Sequence, residues 1–264
     1  AGGISAFGGI HSRQLKNQVD GTIKIEDIHT AIRMDNVHFP KTSAITLENT
    51  HNLCNGSPLL PEYIQEVAQI AHNNNMKLHI DGARIFNASV AQDIDVDKLV
   101  IDADSVTFCL SKGLSAPVGS IICGSQNFIY HARRIRKALG GGMRQAGVIA
   151  AAGIIALDNM LNQIRKDHQN TKLLAEGISN INGLSVDTEN IKSNILYFNI
   201  DKDSMRSEKL NKQTKNIDTY PFEIVLDNIH FFESHRSCFR LVTHYGITRK
   251  EVNKTLSVLE DMVK

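Results

Sequence analysis

Short β-branched runs alternate with amphipathic stretches over the first 160 residues. That alternation restricts the chain to α/β architectures, because each element type must bury its apolar face against the other. Ser43–Leu47 (SAITL) reads as a buried strand. Ser57-Pro58-Leu59-Leu60-Pro61 reads as a turn with proline at a helix start. Glu62–Asn74 follows, with Ile64, Val67, Ala68, Ile70 and Ala71 on one face. Met76–Ile80, Ser105–Leu110 and Val118–Cys123 read as further strands, and Ile23–Arg33, Phe128–Leu139 and Gln145–Met160 as helices. The small residues Ala146, Gly147, Ala150, Ala151 and Gly153 predict close packing along the last of these. Continuous apolar strands with helices between them predict a mostly parallel sheet.

The rhythm changes near Met160–Asp167. Leu161–Ile178 reads as a long helix, Gly183–Val186, Asn194–Ile200 and Arg240–Thr243 as strands, and Thr248–Val263 as a closing helix. Thr248 and Glu251 have the spacing of a capping box. The expected division is a large domain over residues 1–160 and a smaller α+β domain over 161–264.

Composition narrows the function classes. A chain of 264 residues suits two domains or one large one. A hydrophobic share of 42% with 22% charged residues excludes disordered and fibrous classes. Lys+Arg number 29 against 28 Asp+Glu, a net +1, which argues against a nucleic-acid partner. The longest nearly apolar run, Ala146–Leu157, is too short to span a bilayer, so no membrane association is expected. Cys54, Cys109, Cys123 and Cys238 form no C-x-x-C and read as buried thiols of a reducing, cytoplasmic compartment. The histidines show no metal-ligand spacing, so no metal is expected.

Two strand ends carry the chemistry. In Leu78-His79-Ile80-Asp81-Gly82-Ala83-Arg84 an apolar strand ends in a carboxylate, with an arginine within reach. Ligands of α/β sheets sit at carboxyl ends of strands, so Asp81 and Arg84 read either as ligand contacts or as a helix-capping aspartate with a surface arginine. Lys112 follows the apolar strand Ser105–Leu110 directly, with another strand soon after. It reads either as a buried amine, made nucleophilic by desolvation, or as a surface turn lysine. Together, a lysine and an aspartate at successive strand ends suit the two ends of pyridoxal 5'-phosphate: an imine at the aldehyde and a carboxylate at the pyridinium nitrogen.

The segments Glu48-Asn49-Thr50-His51-Asn52, His79–Asn87 (HIDGARIFN), Leu110–Gly119 (LSKGLSAPVG), Gly140–Gly147 (GGGMRQAG) and Arg240–His244 (RLVTH) occur in this order. In these five segments the chain resembles the low-specificity threonine aldolases, fold-type I pyridoxal-phosphate enzymes of the β-eliminating lyase group. The resemblance runs from Ala1 to the C-terminus and is densest between Leu47 and Gly153. It implies a large pyridoxal-phosphate domain and a small α+β domain. It assigns Lys112 to the internal aldimine (the Schiff base), Asp81 to the pyridine nitrogen and Arg84 to the side of the ring's 3'-oxygen. His51 matches a histidine near the substrate's β-hydroxyl, and Arg240 the arginine that clamps the α-carboxylate. Arg144 matches a residue reaching a neighbouring subunit's cofactor phosphate, and Ser111 a phosphate or aldimine contact.

The implied reaction is cleavage of L-threonine or L-allo-threonine to glycine and acetaldehyde. The alternatives are other β-eliminating lyase or aminotransferase chemistry, or a catalytically inactive truncated fragment. Family members carry a segment before the Ala1-Gly2-Gly3 match that holds the phosphate and stacks a histidine on the ring. This sequence lacks it, roughly a quarter of the usual length for a two-domain enzyme of this type. The expected partners are a small amino-acid substrate, further copies in a dimer or tetramer, and a separate chain supplying that segment. Apolar surface is expected where the segment would pack.

Overall fold

The computed structural model describes residues 2–201, 214–215, 223–226, 229–235 and 237–263. A short helix α1 (Gly3–Ala6) and α2 (Ile25–Ala31) precede the first sheet. That sheet contains β1 (Ala44–Glu48), β2 (Lys77–Asp81), β3 (Ser105–Cys109) and β4 (Ser120–Gly124), in that spatial order. The pairs β1–β2 and β2–β3 are parallel, and β4 is antiparallel to β3. The sheet is therefore mostly parallel, as the sequence predicts.

Between these strands lie α3 (Pro61–Asn73), α4 (Ile85–Gln92) and α5 (Val96–Leu99). Proline opens α3 at the first helical turn. Its apolar stripe Ile64, Val67, Ala68, Ile70 and Ala71 packs with Leu78 and Ile80 of β2 in the first core. The run Ile85–Gln92 falls inside the HIDGARIFN segment and has apolar residues on several sides, so no helical stripe marks it in the sequence.

Two helices, α6 (Gln126–Ala138) and α7 (Gly147–Asn159), follow β4, then the long α8 (Leu161–Ser179). The expected tight packing of the small-residue face of α7 holds at one position. Gly153 lies against Leu110, where a Cβ would come within 2.9 Å of Cδ1. Gly147, Ala150 and Ala151 are exposed, as are all five residues of β4. The expectation of buried thiols also fails: Cys123 is exposed, Cys54, Cys109 and Cys238 are only partly covered, and all four are free. The run on β3 is buried at its start and partly covered beyond, and that on β4 is open along its whole length, a difference that period-free apolar runs cannot show. Among the described residues no single helix is long and apolar enough to cross a membrane, and α7 and α8 meet at a 66° bend.

The second sheet has the order β5-β6-β10-β9-β8-β7. Its strands are β5 (Leu184–Val186), β6 (Ile195–Ile200), β7 (Thr214–Lys215), β8 (Glu223–Leu226), β9 (Ile229–His235) and β10 (Cys238–Val242), paired antiparallel. The closing helix α9 (Arg249–Val263) and α8 cover it over a core that includes Phe198, Phe231 and Phe239. The capping box forms: Thr248 N–H and hydroxyl both donate to Glu251 Oε2, and Lys250 N–H donates to Thr248 Oγ1.

Candidate active site

The parallel strands β1, β2 and β3 end along one edge, with Glu48 in register with Asp81 and Asp81 with Thr107. The loop after each strand brings a candidate side chain to that edge. Asn49 N–H donates to the Asp81 carbonyl at 2.9 Å, and Gly82 N–H to the Thr107 carbonyl at 2.8 Å. A Cβ on Gly82 would sit 2.8 Å from that same Thr107 oxygen, so only glycine lets the chain turn there. Asp81 is exposed, and its Oδ1 accepts from Ala83 N–H at 3.1 Å. One carboxylate oxygen thus braces the turn that leads to α4, but the N-cap of that helix is Arg84 and has no side-chain cap bond, so the helix-capping alternative is not met.

Lys112 follows β3 in a turn closed by backbone bonds. Leu110 N–H donates to the Gly119 carbonyl at 2.9 Å, Ala116 N–H to the Leu110 carbonyl at 3.0 Å and Ser115 N–H to the Lys112 carbonyl at 2.8 Å. Leu110, Leu114 and Ala116 pack inward against Ala156 of α7 and Ile164 of α8. The burial of Lys112 expected from its apolar neighbours does not occur: Ser111 and Lys112 are exposed. The turn sends its leucines into the core and leaves the amine on the carboxyl edge. There a cavity of about 370 Å³ is lined by Arg84, Ser111, Lys112, Asn194, His244 and Tyr245. Asp81 and His51 are not in that lining.

His51 lies in the loop after β1 and is only 7% exposed. Its N–H donates to the Ser57 carbonyl at 2.9 Å. The imidazole Nε2 stands 3.6 Å from Glu48 Oε2, and Nδ1 is buried without a partner among the described residues. Gly21 closes over the ring with φ +86°, and a Cβ there would come within 2.8 Å of His51 Cβ.

Arg240 reaches this loop from β10 of the second sheet. Its Nη2 donates to Asn52 Oδ1 at 2.7 Å, and its Nε is buried without a partner among the described residues. The Arg84 guanidinium has its pKa lowered, first by burial and then by repulsion from Arg240, against the opposing pull of Glu48. Two cations therefore share a partly buried place with one nearby carboxylate, an arrangement that favours an incoming anion. Arg144 lies in the segment between α6 and α7, exposed and away from this cluster in its own chain.

Sequence reasoning missed several neighbours. Asn194 is 2% exposed and donates from Nδ2 to the Thr243 carbonyl at 2.8 Å. Tyr197 OH donates to the Asn52 carbonyl at 3.2 Å. Asn87 Nδ2 lies 3.1 Å from His168 Nε2. Nothing in their spacing marks these residues, because each meets the site through a long-range contact.

Comparison with known proteins identifies the family and the fold. The Beta-eliminating lyase family model matches residues 1–201. The chain is 44% identical to low-specificity L-threonine aldolase 1 of Arabidopsis thaliana over 262 residues, covering 98% of this chain and 70% of that protein. It is 35% identical to the low specificity L-threonine aldolase of Escherichia coli K12, over 96% of this chain and 70% of the relative. The fold matches the structure of Leishmania major threonine aldolase with a TM-score of 0.68 at 18% identity, over 94% of this chain and 69% of that one. The matched stretch contains the strand ends that carry Asp81 and Lys112, and the chain belongs to the β-eliminating lyase family, alongside the low-specificity L-threonine aldolases.

Proposed function

We propose that this chain cleaves L-threonine and L-allo-threonine to glycine and acetaldehyde, using pyridoxal 5'-phosphate held at the carboxyl edge of the first sheet. The observation that carries the reading is that Lys112, Ser111 and Arg84 line one cavity at the carboxyl edge of the first sheet. The donor set fits the cofactor: a primary amine for its aldehyde, a carboxylate oxygen for its ring nitrogen, and a hydroxyl and guanidinium for its oxygens. When bound, pyridoxal phosphate supplies an electron sink for the pair released from the substrate's Cα–Cβ bond.

The chain's own residues do the rest. Lys112 would hold the cofactor's aldehyde carbon, Asp81 would keep the ring nitrogen protonated, and Ser111 would contact the phosphate. Arg240 would fix the substrate carboxylate, which sets the angle of the Cα–Cβ bond. Arg84 would serve the ring's 3'-oxygen side, and its closeness to Arg240 lets it share the carboxylate. His51 would take the β-hydroxyl proton as that oxygen becomes the aldehyde carbonyl, and a proton delivered to Cα completes glycine. Arg144 would act on the phosphate of a second copy, which makes the enzyme a homo-oligomer. A cytoplasmic enzyme divided into residues 1–160 and 161–264 belongs to the same reading.

The test is replacement of Lys112 by alanine. The variant should lose the visible absorbance of the bound cofactor and all threonine cleavage, and an unchanged spectrum would refute the role of Lys112. Products from threonine, serine and phenylserine separate aldol cleavage from elimination or transamination.

A further inference from the structure

We propose that Asn52 is a positioning residue that orients the Arg240 guanidinium for the substrate carboxylate. The proposal deepens the function proposed above and rests on its reading of Arg240. Asn52 stands in the loop after β1, and its three hydrogen bonds run to three different elements. Its N–H donates to Glu48 Oε1 at 3.0 Å, its carbonyl accepts from Tyr197 OH at 3.2 Å, and its Oδ1 accepts from Arg240 Nη2 at 2.7 Å. Arg240 and Tyr197 belong to the second sheet, where they face each other in register on β10 and β6. Glu48 and His51 belong to the first sheet and its loop.

Only one of the three contacts uses the side chain. The bonds to Glu48 and Tyr197 use backbone atoms and survive substitution of Asn52. The bond to Arg240 does not. Guanidinium has donors and no acceptor, so the Asn52 atom facing it is the carbonyl oxygen.

The need for such a contact follows from charge. Arg240 repels Arg84 across the same partly buried space, and its Nε has no partner among the described residues. A neutral acceptor can orient the guanidinium and leave its charge for an anion. A carboxylate at the same place would orient it equally well but would compete with the substrate for it. Asparagine meets both demands, alanine only the second and aspartate only the first.

The experiment uses the full-length holoenzyme, with glycine affinity read from the change in cofactor absorbance and with KM and kcat for threonine. Asn52→Ala should weaken glycine binding roughly tenfold, the scale of one charge-assisted hydrogen bond. Asn52→Asp should weaken it further, despite being nearly isosteric. In both variants the absorbance of the resting holoenzyme and the melting temperature should stay close to wild type, and KM should rise more than kcat falls. Arg240→Lys is the reference. If Arg240→Lys weakens glycine while both Asn52 variants bind it within about twofold of wild type, the positioning role is overturned and the function stands. If Arg240→Lys also binds glycine normally, the reading of Arg240 falls and this proposal falls with it. Unfolding of both Asn52 variants would equally overturn the proposal, since it would show a structural brace.

Discussion

His51 is nearly buried and held at its backbone and its Cβ. Gly21 packs on its Cβ, its backbone is fixed to Ser57, and Glu48 stands 3.6 Å from Nε2. A ring so confined can exchange a proton without changing position, which suits a base near the substrate's hydroxyl. His51→Asn should lower kcat on the order of a hundredfold while leaving cofactor affinity nearly unchanged. Equal loss of both, measured by turnover and by cofactor titration, would mark His51 as a packing residue. His168 shows a different use of imidazole. Burial pushes its pKa down to about 4, so near neutral pH it is uncharged and accepts from Asn87 Nδ2. The unfolded chain takes up a proton near pH 6.5 that the folded chain refuses until about 4, so stability falls as pH drops through that window. An NMR titration should place His168 near 4; a midpoint near 6.5 would contradict its burial. The candidate chemistry at Asp81 and Lys112 was readable because both sit at strand ends, and strand ends are visible in an apolar run. The exposure of Lys112 was not readable, because its apolar neighbours turn away from it only once α7 and α8 supply a core for them.

The first sheet is aligned by a carboxylate outside its strands. Asp104, just before β3, accepts from Lys77 Nζ at 2.7 Å and Leu78 N–H at 2.9 Å on β2, and from His72 Nε2 at 2.9 Å on α3. Burial opposes its ionisation, yet the hydrogen bonds from Lys77, Leu78 and His72 outweigh it and hold the carboxyl at about 2. The folded pKa lies below the ordinary value of 3.8, so this stabilisation is complete above about 4 and is lost as pH falls through about 2. Asp104→Asn should cost about 1 kcal/mol near neutral pH, because Lys77 and His72 lie largely in solvent, which screens the pair. Thermal melts of the two proteins should converge by about pH 2, and a constant gap over the whole range would refute the ionised brace. Such a brace matters for the site, since the β2–β3 register sets the spacing between Asp81 and the Lys112 turn. Helices α3, α8 and α9 and strands β1, β2 and β3 were legible from periodicity and apolar runs. Helix α4 was not, because its burial comes from several sides at once.

Strand β4 and helix α7 leave large apolar side chains exposed. Ile121 and Ile122 of β4 are 38% and 41% exposed, Ile154 of α7 is 60% exposed, and no residue of α6 is buried. Exposure of this kind is characteristic of a surface that another chain covers. If a second copy covers it and brings Arg144 to the neighbouring site, two defective chains should repair each other. Lys112→Ala and Arg144→Ala should each be inactive alone. Refolded together in equal amounts as a dimer, they should recover about a quarter of wild-type activity, because half of the dimers keep one intact site. Failure to recover activity in a mixed dimer shown to form would remove Arg144 from the shared site. Local order in the chain was sufficient to specify the α/β class and the strand ends and to mark Asp81, Arg84 and Lys112 as candidates, since apolar periodicity and turn chemistry act between near neighbours. The meeting of Arg240 with Asn52 across 188 residues, the free amine of Lys112 and the open face of β4 came from packing alone, because each depends on which surfaces the assembled cores leave uncovered.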